Sequence, residues 1–264
     1  MIEGKVIAVT RADEGQAEVS RIISEMGGIP FNIPVVEFEG TGCAGAVRVL
    51  VGDIMEGRVD YLVFLSWNGF RYMLDAAGDG RSEAIAAIRE KTVVAAVGPA
   101  TAGMIMKAGV EVGVTAENSM AEGIAHALAG RGIAGKRIAV IRNEAGGGGL
   151  GGMLSGAGAQ VTEIATYRTV APKFCGALGQ FIEKASVGGI DAVVFGSPLA
   201  AANMVGMMSG SVGRERARGI LGGMVIAAIG RSTEAKLAEL GLRADVVPDK
   251  PGFRNVIAML AGRL

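Results

Sequence analysis

Hydroxyl side chains recur at four turns that lead from an apolar run into a helix-like stretch. The four turns are Ser66-Trp67-Asn68-Gly69, Gly98-Pro99-Ala100-Thr101, Gly196-Ser197-Pro198 and Gly230-Arg231-Ser232-Thr233. A turn from the carboxyl end of a strand into a helix presents free N–H groups and the positive end of the helix dipole, which together bind anions. The hydroxyls could donate hydrogen bonds to a ligand carboxylate, or they could only cap their helices, where Ser and Thr are favoured in any case. Their symmetric positions favour a shared ligand cleft.

Two arginines stand at equivalent ends of apolar runs. Arg11 and Arg142 could clamp carboxylates, although surface salt bridging is an equal interpretation. The chain holds 18 Arg against 8 Lys, and the guanidinium group pairs bidentately with carboxylate and phosphate. The excess therefore fits an anionic small-molecule ligand, with biased genomic base composition as the alternative.

A phenol supplies a candidate proton donor. Tyr167 lies in an extended stretch, residues 165–169 (Ala-Thr-Tyr-Arg-Thr), and is one of three tyrosines. It could act as a general acid, or it could be a tyrosine that only packs. No pair of carboxylates recurs at the strand ends, which counts against glycosidase-type acid–base chemistry.

A glycine run follows the apolar run at residues 137–141. It contains Gly147-x-Gly149-x-x-Gly152, the spacing of the dinucleotide fingerprint, although a run of six glycines matches it by accident. The acidic residue that should bind ribose about 20 residues later would be Glu163, which comes two or three residues too early. A flexible loop over a cleft is the alternative.

Composition excludes several classes of function. Half of the 264 residues are hydrophobic, which rules out intrinsic disorder. Lys plus Arg (26) equals Asp plus Glu (26), so no global field favours nucleic acid or an anionic membrane. Two cysteines and one histidine, Cys43, Cys175 and His126, leave no ligand cluster for zinc and no His-based triad.

The sequence predicts neither a secretory signal peptide nor a membrane span. Charged residues interrupt the first 13 positions, so they do not form a secretory h-region. The longest uncharged run, residues 192–213, contains Pro198 and Asn203 and is a poor membrane span. We therefore expect a soluble, cytoplasmic protein without membrane contact.

Short β-branched runs alternate with helix-like stretches, which indicates parallel α/β units. The predicted strands are residues 5–9, 61–64, 93–97, 137–141, 192–195 and 225–229, and the predicted helices are residues 15–26, 68–77, 100–108, 199–208 and 233–240. Unbroken apolar strands are typical of a parallel sheet that is covered on both faces.

The chain also repeats itself at an offset of 131–132 residues. Residues 63–66 resemble 194–197, residues 96–101 resemble 228–233, and residues 7–11 resemble 138–142. Four glycines that end the following helices keep the offset, namely Gly27 with Gly158 and Gly109 with Gly241. A register held across several sites predicts two homologous halves with six βα segments in total.

Taken in order, these motifs resemble those of the uroporphyrinogen-III synthase family and cover nearly the whole chain. The matching pieces are residues 9–11, 26–28, 33–35, 60–69, 96–102, 191–197 and 229–233, together with Tyr167 and Pro172. The resemblance implies two flavodoxin-like, three-layer α/β lobes with parallel sheets, a two-stranded linker and an interlobe cleft. One lobe would take residues 1–35 and 171–264, the other residues 39–166, and the linker strands residues 33–39 and 165–171. Two Pro-bearing extended stretches, residues 29–36 and 161–172, agree with such crossings.

The resemblance also implies a reaction. Hydroxymethylbilane, a linear tetrapyrrole with eight carboxylates, would lose water and close to a macrocycle with its last pyrrole ring inverted, without a metal or a cofactor. Tyr167 matches the family tyrosine that is suspected of assisting departure of the hydroxyl. The substrate-binding residues would be Thr10, Arg11, Ser66, Asn68, Thr101, Arg142, Ser197, Ser232 and Thr233. We expect a monomer, and a transient contact with the preceding enzyme of the pathway stays open.

Two departures from the family pattern put individual contacts in question. Arg231 and Glu234 replace the usual Pro and small residue of one turn, and the loop after Arg142 is glycine-rich where the family often carries another Arg. Two rival functions remain at this point: a non-catalytic two-lobed anion-binding or regulatory module, and a nucleotide-dependent enzyme that uses the glycine run.

Overall fold

Strands and helices alternate along the chain. The computed structural model describes residues 2–116, 118, 120–146, 149–173 and 175–264. The chain divides into two compact units, one formed by Met1–Glu37 and Val170–Leu264 and the other by Phe38–Thr169. No helix in these described ranges combines the length and the apolarity that crossing a membrane requires.

The first unit is built on a four-stranded parallel sheet of β1 (Val6–Val9), β2 (Ile29–Asn32), β9 (Ala192–Phe195) and β10 (Val225–Ala228). The strand order in this sheet is β10-β9-β1-β2. Its helices are α1 (Asp13–Glu25), α8 (Gly176–Ser186), α9 (Pro198–Val212), α10 (Arg214–Gly222), α11 (Arg231–Glu239) and α12 (Phe253–Leu260). Ile7 and Val9 share a core with α1 and α12, and the intervening Ala8 is also fully buried. Since neighbouring residues of a strand face opposite sides, the sheet is covered on both faces.

The second unit is built on a six-stranded sheet of β3 (Glu37–Gly40), β4 (Tyr61–Phe64), β5 (Val93–Ala96), β6 (Val114–Thr115), β7 (Arg137–Asn143) and β8 (Gln160–Val170). The strand order in this sheet is β3-β8-β7-β4-β5-β6. Its helices are α2 (Ala44–Met55), α3 (Trp67–Ala77), α4 (Arg81–Lys91), α5 (Pro99–Lys107), α6 (Ala121–Ala129) and α7 (Gly149–Gly156). Leu62 and Phe64 of β4 belong to the core under α2 to α5, whereas Val63 belongs to the core under α6 and α7. The α/β class with parallel sheets and the three-layer arrangement are confirmed.

The predicted linker strands differ in detail from the structure. Residues 33–36 are not part of a strand, and β3 begins only at Glu37. The long strand β8 runs from Gln160, so both crossing segments belong to the six-stranded sheet, where β3 and β8 are neighbours. The cleft that the sequence analysis places between the lobes stays a prediction.

The repeat read from the sequence is present in the strand pairing. The order β10-β9-β1-β2 in the first unit equals β5-β4-β7-β8 in the second. The parallel bridge between Ala227 and Val246 has its counterpart, 132 residues earlier, in the pairing of Ala95 with Val114. The four glycines at the repeat offset each come two residues after a helix and have positive φ, with values of 85°, 84°, 87° and 77° for Gly27, Gly109, Gly158 and Gly241. Glycine is needed there because other residues are strained in this left-handed region.

An aspartate holds the amino end of each sheet. Asp191 accepts hydrogen bonds from Lys5 Nζ at 2.9 Å and from the Val6 amide at 2.8 Å. Asp60 does the same with Lys136 Nζ at 3.2 Å and the Arg137 amide at 2.8 Å. The Arg137 amide, helped by Lys136, lowers the pKa of Asp60. Burial raises the pKa of Asp191, but the Val6 amide and Lys5 together outweigh it, so that this pKa is also lowered.

The glycine run is the clearest local error of the sequence analysis. A loop is predicted through Gly152, but α7 begins at Gly149. Leu150 and Leu154 of this helix are buried in the core under α6 and α7, and Gly151 lies against the Glu163 side chain, where a Cβ would collide. Packing therefore overrides the poor helix propensity of glycine. Gly147, the first residue of the fingerprint spacing, lies outside the described residues.

Candidate functional site

The candidate residues of the second unit lie at one edge of its sheet. Strand β4 pairs in parallel with β5 and β7, with Phe64 level with Ala96 and Ile141. Neighbouring strands are about 4.8 Å apart, so the turns after these three strands span about 10 Å. This edge brings together Ser66, Asn68 and Thr101, which follow β4 and β5, with Arg142 near the carboxyl end of β7.

Ser66 performs two tasks at this edge. It is the N-cap of α3, with φ −165° and ψ 161°, and its Oγ accepts a hydrogen bond from the Gly69 amide at 3.0 Å. The same Oγ lies 2.8 Å from the Tyr167 hydroxyl, and either atom could be the donor of that bond. Gly69 permits the close approach of α3 to β7, because a Cβ there would lie 3.3 Å from Ile141 Cγ2. The capping alternative is therefore correct for Ser66, and capping leaves its hydroxyl in contact with the phenol.

Tyr167 is a packed residue whose hydroxyl is nevertheless engaged at the site. Only 7% of it is exposed. Its ring stacks on Tyr72 with 5.7 Å between ring centroids and 8° between planes, and it meets Phe38 edge-on at 5.8 Å and 71°. A register shift between Arg142 and Asn143 places Tyr167 opposite Asn143 on β7. Packing of the ring and chemistry at the hydroxyl are thus compatible.

Arg142 forms a salt bridge, which is one of the two interpretations that its sequence position leaves open. Its Nε lies 2.5 Å from Glu163 Oε2, and its Nη1 donates to the Asn143 and Glu144 carbonyls at 2.9 and 3.1 Å. Nη2 has no partner among the described residues. Glu163 is the residue that a nucleotide-binding function would assign to a ribose, and here its carboxylate is neutralised by Arg142.

Asn68 and Thr101 retain free polar groups. Both side chains are half-buried in the first turn of a helix, in α3 and α5 respectively. Neither makes a side-chain hydrogen bond within the described part of the chain. Their donors are therefore available to a ligand at the same edge.

The first unit has the equivalent edge. Ser197 is the N-cap of α9 with φ −166° and ψ 161°, and its Oγ accepts from the Ala200 amide at 3.0 Å, as Ser66 does in the other unit. Thr10 is buried, and its Oγ1 donates to the Val194 carbonyl at 3.0 Å. The hydroxyl proton of Thr10 is thus already used inside the fold.

Arg11 is held over an aromatic ring. Its guanidinium carbon lies 4.8 Å from the ring centroid of Phe253, and its Nη1 lies 3.3 Å from Glu18. The Phe253 ring also packs on Gly196, where a Cβ would lie 2.8 Å from Phe253 Cζ. The ring therefore links Arg11 to the turn that carries Ser197. Salt bridging, the second interpretation of Arg11, is again present.

The turn after β10 contains an unsatisfied hydroxyl. Thr233 is fully buried at the start of α11, and its Oγ1 has no hydrogen-bond partner among the described residues. Ser232 beside it is exposed. Arg231 and Glu234, the two residues that depart from the family pattern, form an ion pair with 3.0 Å between Nη1 and Oε2.

The contacts that surround these residues could not be predicted from the local sequence. Tyr72 and Phe38 on Tyr167, Glu163 on Arg142 and Phe253 under Arg11 all come from other elements, and no local motif marks them. The repeat offset could have revealed one further pair, since Lys5 and Lys136 stand at the same offset as Asp60 and Asp191. Across the described residues, no three His, Cys, Asp or Glu side chains come together as potential metal ligands.

Comparisons with known proteins agree on one family. The family model described as "Uroporphyrinogen-III synthase HemD" matches residues 17–258. A curated protein of Methanothermobacter thermautotrophicus, named "Putative uroporphyrinogen-III synthase", is 29% identical over 255 residues, which cover 97% of each chain.

Solved structures extend the agreement to the fold. A mutant uroporphyrinogen III synthase of the extremely thermophilic bacterium Thermus thermophilus aligns with a TM-score of 0.56 and 18% identity over 98% of this chain and 97% of that one. The uroporphyrinogen-III synthetase of Helicobacter pylori 26695 aligns with a TM-score of 0.63 and 13% identity over 99% and 100% of the two chains.

Proposed function

The chain belongs to the uroporphyrinogen-III synthase family, a family of cyclising lyases in tetrapyrrole biosynthesis, and we propose that it uses Tyr167 and Ser66 to close hydroxymethylbilane. The substrate loses water and closes to a macrocycle with its last pyrrole ring inverted. The alternative of a non-catalytic binding or regulatory module is not favoured, because the family match spans most of the chain.

The hydrogen bond between Ser66 Oγ and the Tyr167 hydroxyl, 2.8 Å long, is the observation that carries the assignment of roles. Tyr167 donates its proton to the departing hydroxyl, the C–O bond breaks, and water leaves an azafulvene cation. Ser66 then donates to the phenolate, and the positive end of α3 stabilises the same charge. When the attacked pyrrole becomes aromatic again it releases a proton, which restores the phenol.

The remaining hydroxyl and amide groups bind substrate carboxylates. Asn68 and Thr101 are suited to this because their donors are free within the described structure. Thr233 is included only for its place in the family's binding turn, because its hydroxyl is unpartnered but fully buried. Ser197 and Ser232 add hydroxyls at the equivalent edge of the first unit. Eight carboxylates on the substrate give these donors enough acceptors.

The arginines and Thr10 have more restricted roles. Arg142 can offer a ligand the two N–H groups of Nη2, because Nε and Nη1 are engaged. Arg11 meets the substrate from its position over Phe253. The hydroxyl of Thr10 has no proton left for a ligand, because it donates to the Val194 carbonyl. Thr10 therefore contributes by fixing the turn in which it lies.

Most of the catalytic work in this proposal is placement of the substrate. The bilane closes spontaneously to the uninverted isomer, so the protein has to hold the chain in the geometry that leads to inversion. No step requires a metal or a redox cofactor. We further propose that the protein works as a cytoplasmic monomer and receives its unstable substrate through transient contact with the preceding enzyme.

A product-isomer assay tests the function. Hydroxymethylbilane is generated in place by its synthase and incubated with and without this protein, and the uroporphyrins are separated after oxidation. We expect mainly the type III isomer. Type I product at the uncatalysed rate, from protein whose folding has been verified by circular dichroism, would contradict the proposal.

A further inference from the structure

We propose that Tyr72 is a positioning residue that holds the Tyr167 ring in its reactive orientation. This inference rests on the general-acid role proposed above for Tyr167. Tyr72 belongs to α3, the helix that Ser66 caps, and its ring is nearly parallel to that of Tyr167, with 5.7 Å between centroids and 8° between planes. Offset stacking of this kind is attractive and limits how far either ring can tilt.

Tyr72 is itself fixed at its far end. Its hydroxyl donates to the Phe38 carbonyl of β3 at 2.6 Å, and the Phe38 ring meets Tyr167 edge-on at 5.8 Å. Phe38, Tyr72 and Tyr167 therefore form a closed set of contacts, which we call the aromatic clamp. One strand and one helix hold the phenol ring from two sides.

The aromatic clamp restrains the orientation of the Tyr167 ring, which Ser66 alone cannot do. A single hydrogen bond restrains the oxygen of Tyr167 but leaves the ring free to swing about its side-chain torsions. A general acid has to stay within hydrogen-bond reach of its target, and a misplacement of about 1 Å can cost on the order of a hundredfold in rate. Contacts on the face and the edge of the ring remove that freedom.

The repeat position of Tyr72 carries an amide and not an aromatic ring in the first unit. Asn203 of α9 stands at the same position in the first unit, 131 residues later. Its Nδ2 donates to the Val35 carbonyl at 2.8 Å, just as the Tyr72 hydroxyl donates to Phe38. Both units thus tie the helix to the neighbouring extended segment. Only the second unit, which carries Tyr167, does so with an aromatic ring.

Steady-state kinetics of three variants test the inference. Tyr72→Leu removes the ring, and we expect kcat to fall about tenfold with KM changed less than twofold, because the acid and not the binding groups is displaced. Tyr72→Phe keeps the stack and loses only the hydroxyl, so most of the rate should return. Tyr61→Leu is the matched control, since Tyr61 begins β4 at the opposite end from Ser66, and its kcat should equal that of the wild type.

A double variant separates positioning from a general effect of the substitution. If Tyr72 acts through Tyr167, Tyr72→Leu should slow Tyr167→Phe no further. A further tenfold loss in the double variant would overturn the inference. A wild-type kcat in Tyr72→Leu, together with a slow Tyr167→Phe, would also overturn the inference. That outcome would leave the general-acid role of Tyr167 standing. A wild-type kcat in Tyr167→Phe would refute the acid itself and the positioning role with it.

Folding is checked in each variant by the emission of Trp67, the single tryptophan, which stacks on Phe70 at 5.5 Å inside α3. Should Tyr72→Leu fail to fold, Phe38→Leu provides the second variant. It removes only the edge contact with Tyr167, and we expect about a threefold loss of kcat that again disappears in the Tyr167→Phe background. An unchanged kcat in Phe38→Leu, or a loss that persists in that background, would overturn the clamp.

Discussion

Replacing Ser66 with glycine should separate catalysis from helix capping. Ser66 and Ser197 are matched caps: their backbone angles agree within 1°, and each Oγ accepts one amide hydrogen bond at 3.0 Å. Only Ser66 also contacts a phenol, with 2.8 Å to Tyr167. Glycine is nearly as good an N-cap as serine and costs only about a few tenths of a kcal/mol. Ser66→Gly therefore removes the contact with Tyr167 while it preserves the helix start.

The size of the effect follows from the charge that Ser66 has to stabilise. A hydrogen bond to a charged group is worth about 1.5–3 kcal/mol, and each 1.4 kcal/mol is roughly a factor of ten in rate. Water can enter the vacated space and recover part of this, so we expect kcat to fall about tenfold. Ser197→Gly should instead raise KM by a similar factor, because Ser197 binds the substrate in this proposal and contacts no phenol.

The assay is steady-state formation of type III product, with unfolding in urea followed through Trp67 as the stability measurement. In Ser66→Gly and Ser197→Gly the free energy of unfolding should fall by the same small amount, about a few tenths of a kcal/mol. Ser66→Ala should lose about 1 kcal/mol of stability but no more kcat than Ser66→Gly. A wild-type kcat in Ser66→Gly, with only KM raised, would refute the role of Ser66 toward Tyr167 and leave it a binding group.

Three further predictions concern the acid, the pH dependence and the repeat. Tyr167→Phe should lower kcat about a hundredfold, as loss of a general acid does, with KM changed less than twofold in the same kinetic assay. Asp191→Asn should lower the free energy of unfolding by about 1 kcal/mol at pH 7. That deficit should shrink as the pH falls below 3.8, because the lowered pKa of Asp191 stabilises the fold only while the carboxyl is ionised; a deficit that is constant with pH in urea titrations would contradict this. Gly158→Ala, at φ 87°, should cost about 1 kcal/mol, whereas Gly130→Ala, at φ −61°, should cost nothing measurable in parallel melts.

Local sequence predicts six of the strands (β1, β4, β5, β7, β9 and β10) and several helix ends, because both depend on neighbouring residues. Four-residue apolar runs such as Val193 and its neighbours are typical of buried strands, and glycine is the residue that most readily adopts the positive φ with which many helices end. The glycine run at 149–152 shows where prediction from local sequence fails. Its helix is held by Leu150 and Leu154 against the core, and that burial is a property of the packed unit and not of the segment.

The partners of the site residues could not be predicted for the same reason. Glu163 reaches Arg142 because β7 and β8 pair in a register that sets Val140 level with Glu163. Tyr72 reaches Tyr167 because α3 packs beside β8, 95 residues further along the chain. Hydroxyls at strand ends can be recognised from the sequence, but the groups that orient them require the register.

The repeat explains why the chemistry is unequal between two similar units. At the offset of 131, the caps Ser66 and Ser197 and the arginines Arg11 and Arg142 correspond, so both units keep the means to hold an anion. The position equivalent to Tyr167 is Val36, which is buried and has no acidic proton to donate. If duplication preserved binding and only one copy gained the acid, substitutions at the first edge should change KM and those around Tyr167 should change kcat. The opposite responses expected of Ser197→Gly and Ser66→Gly are the direct consequence of that division.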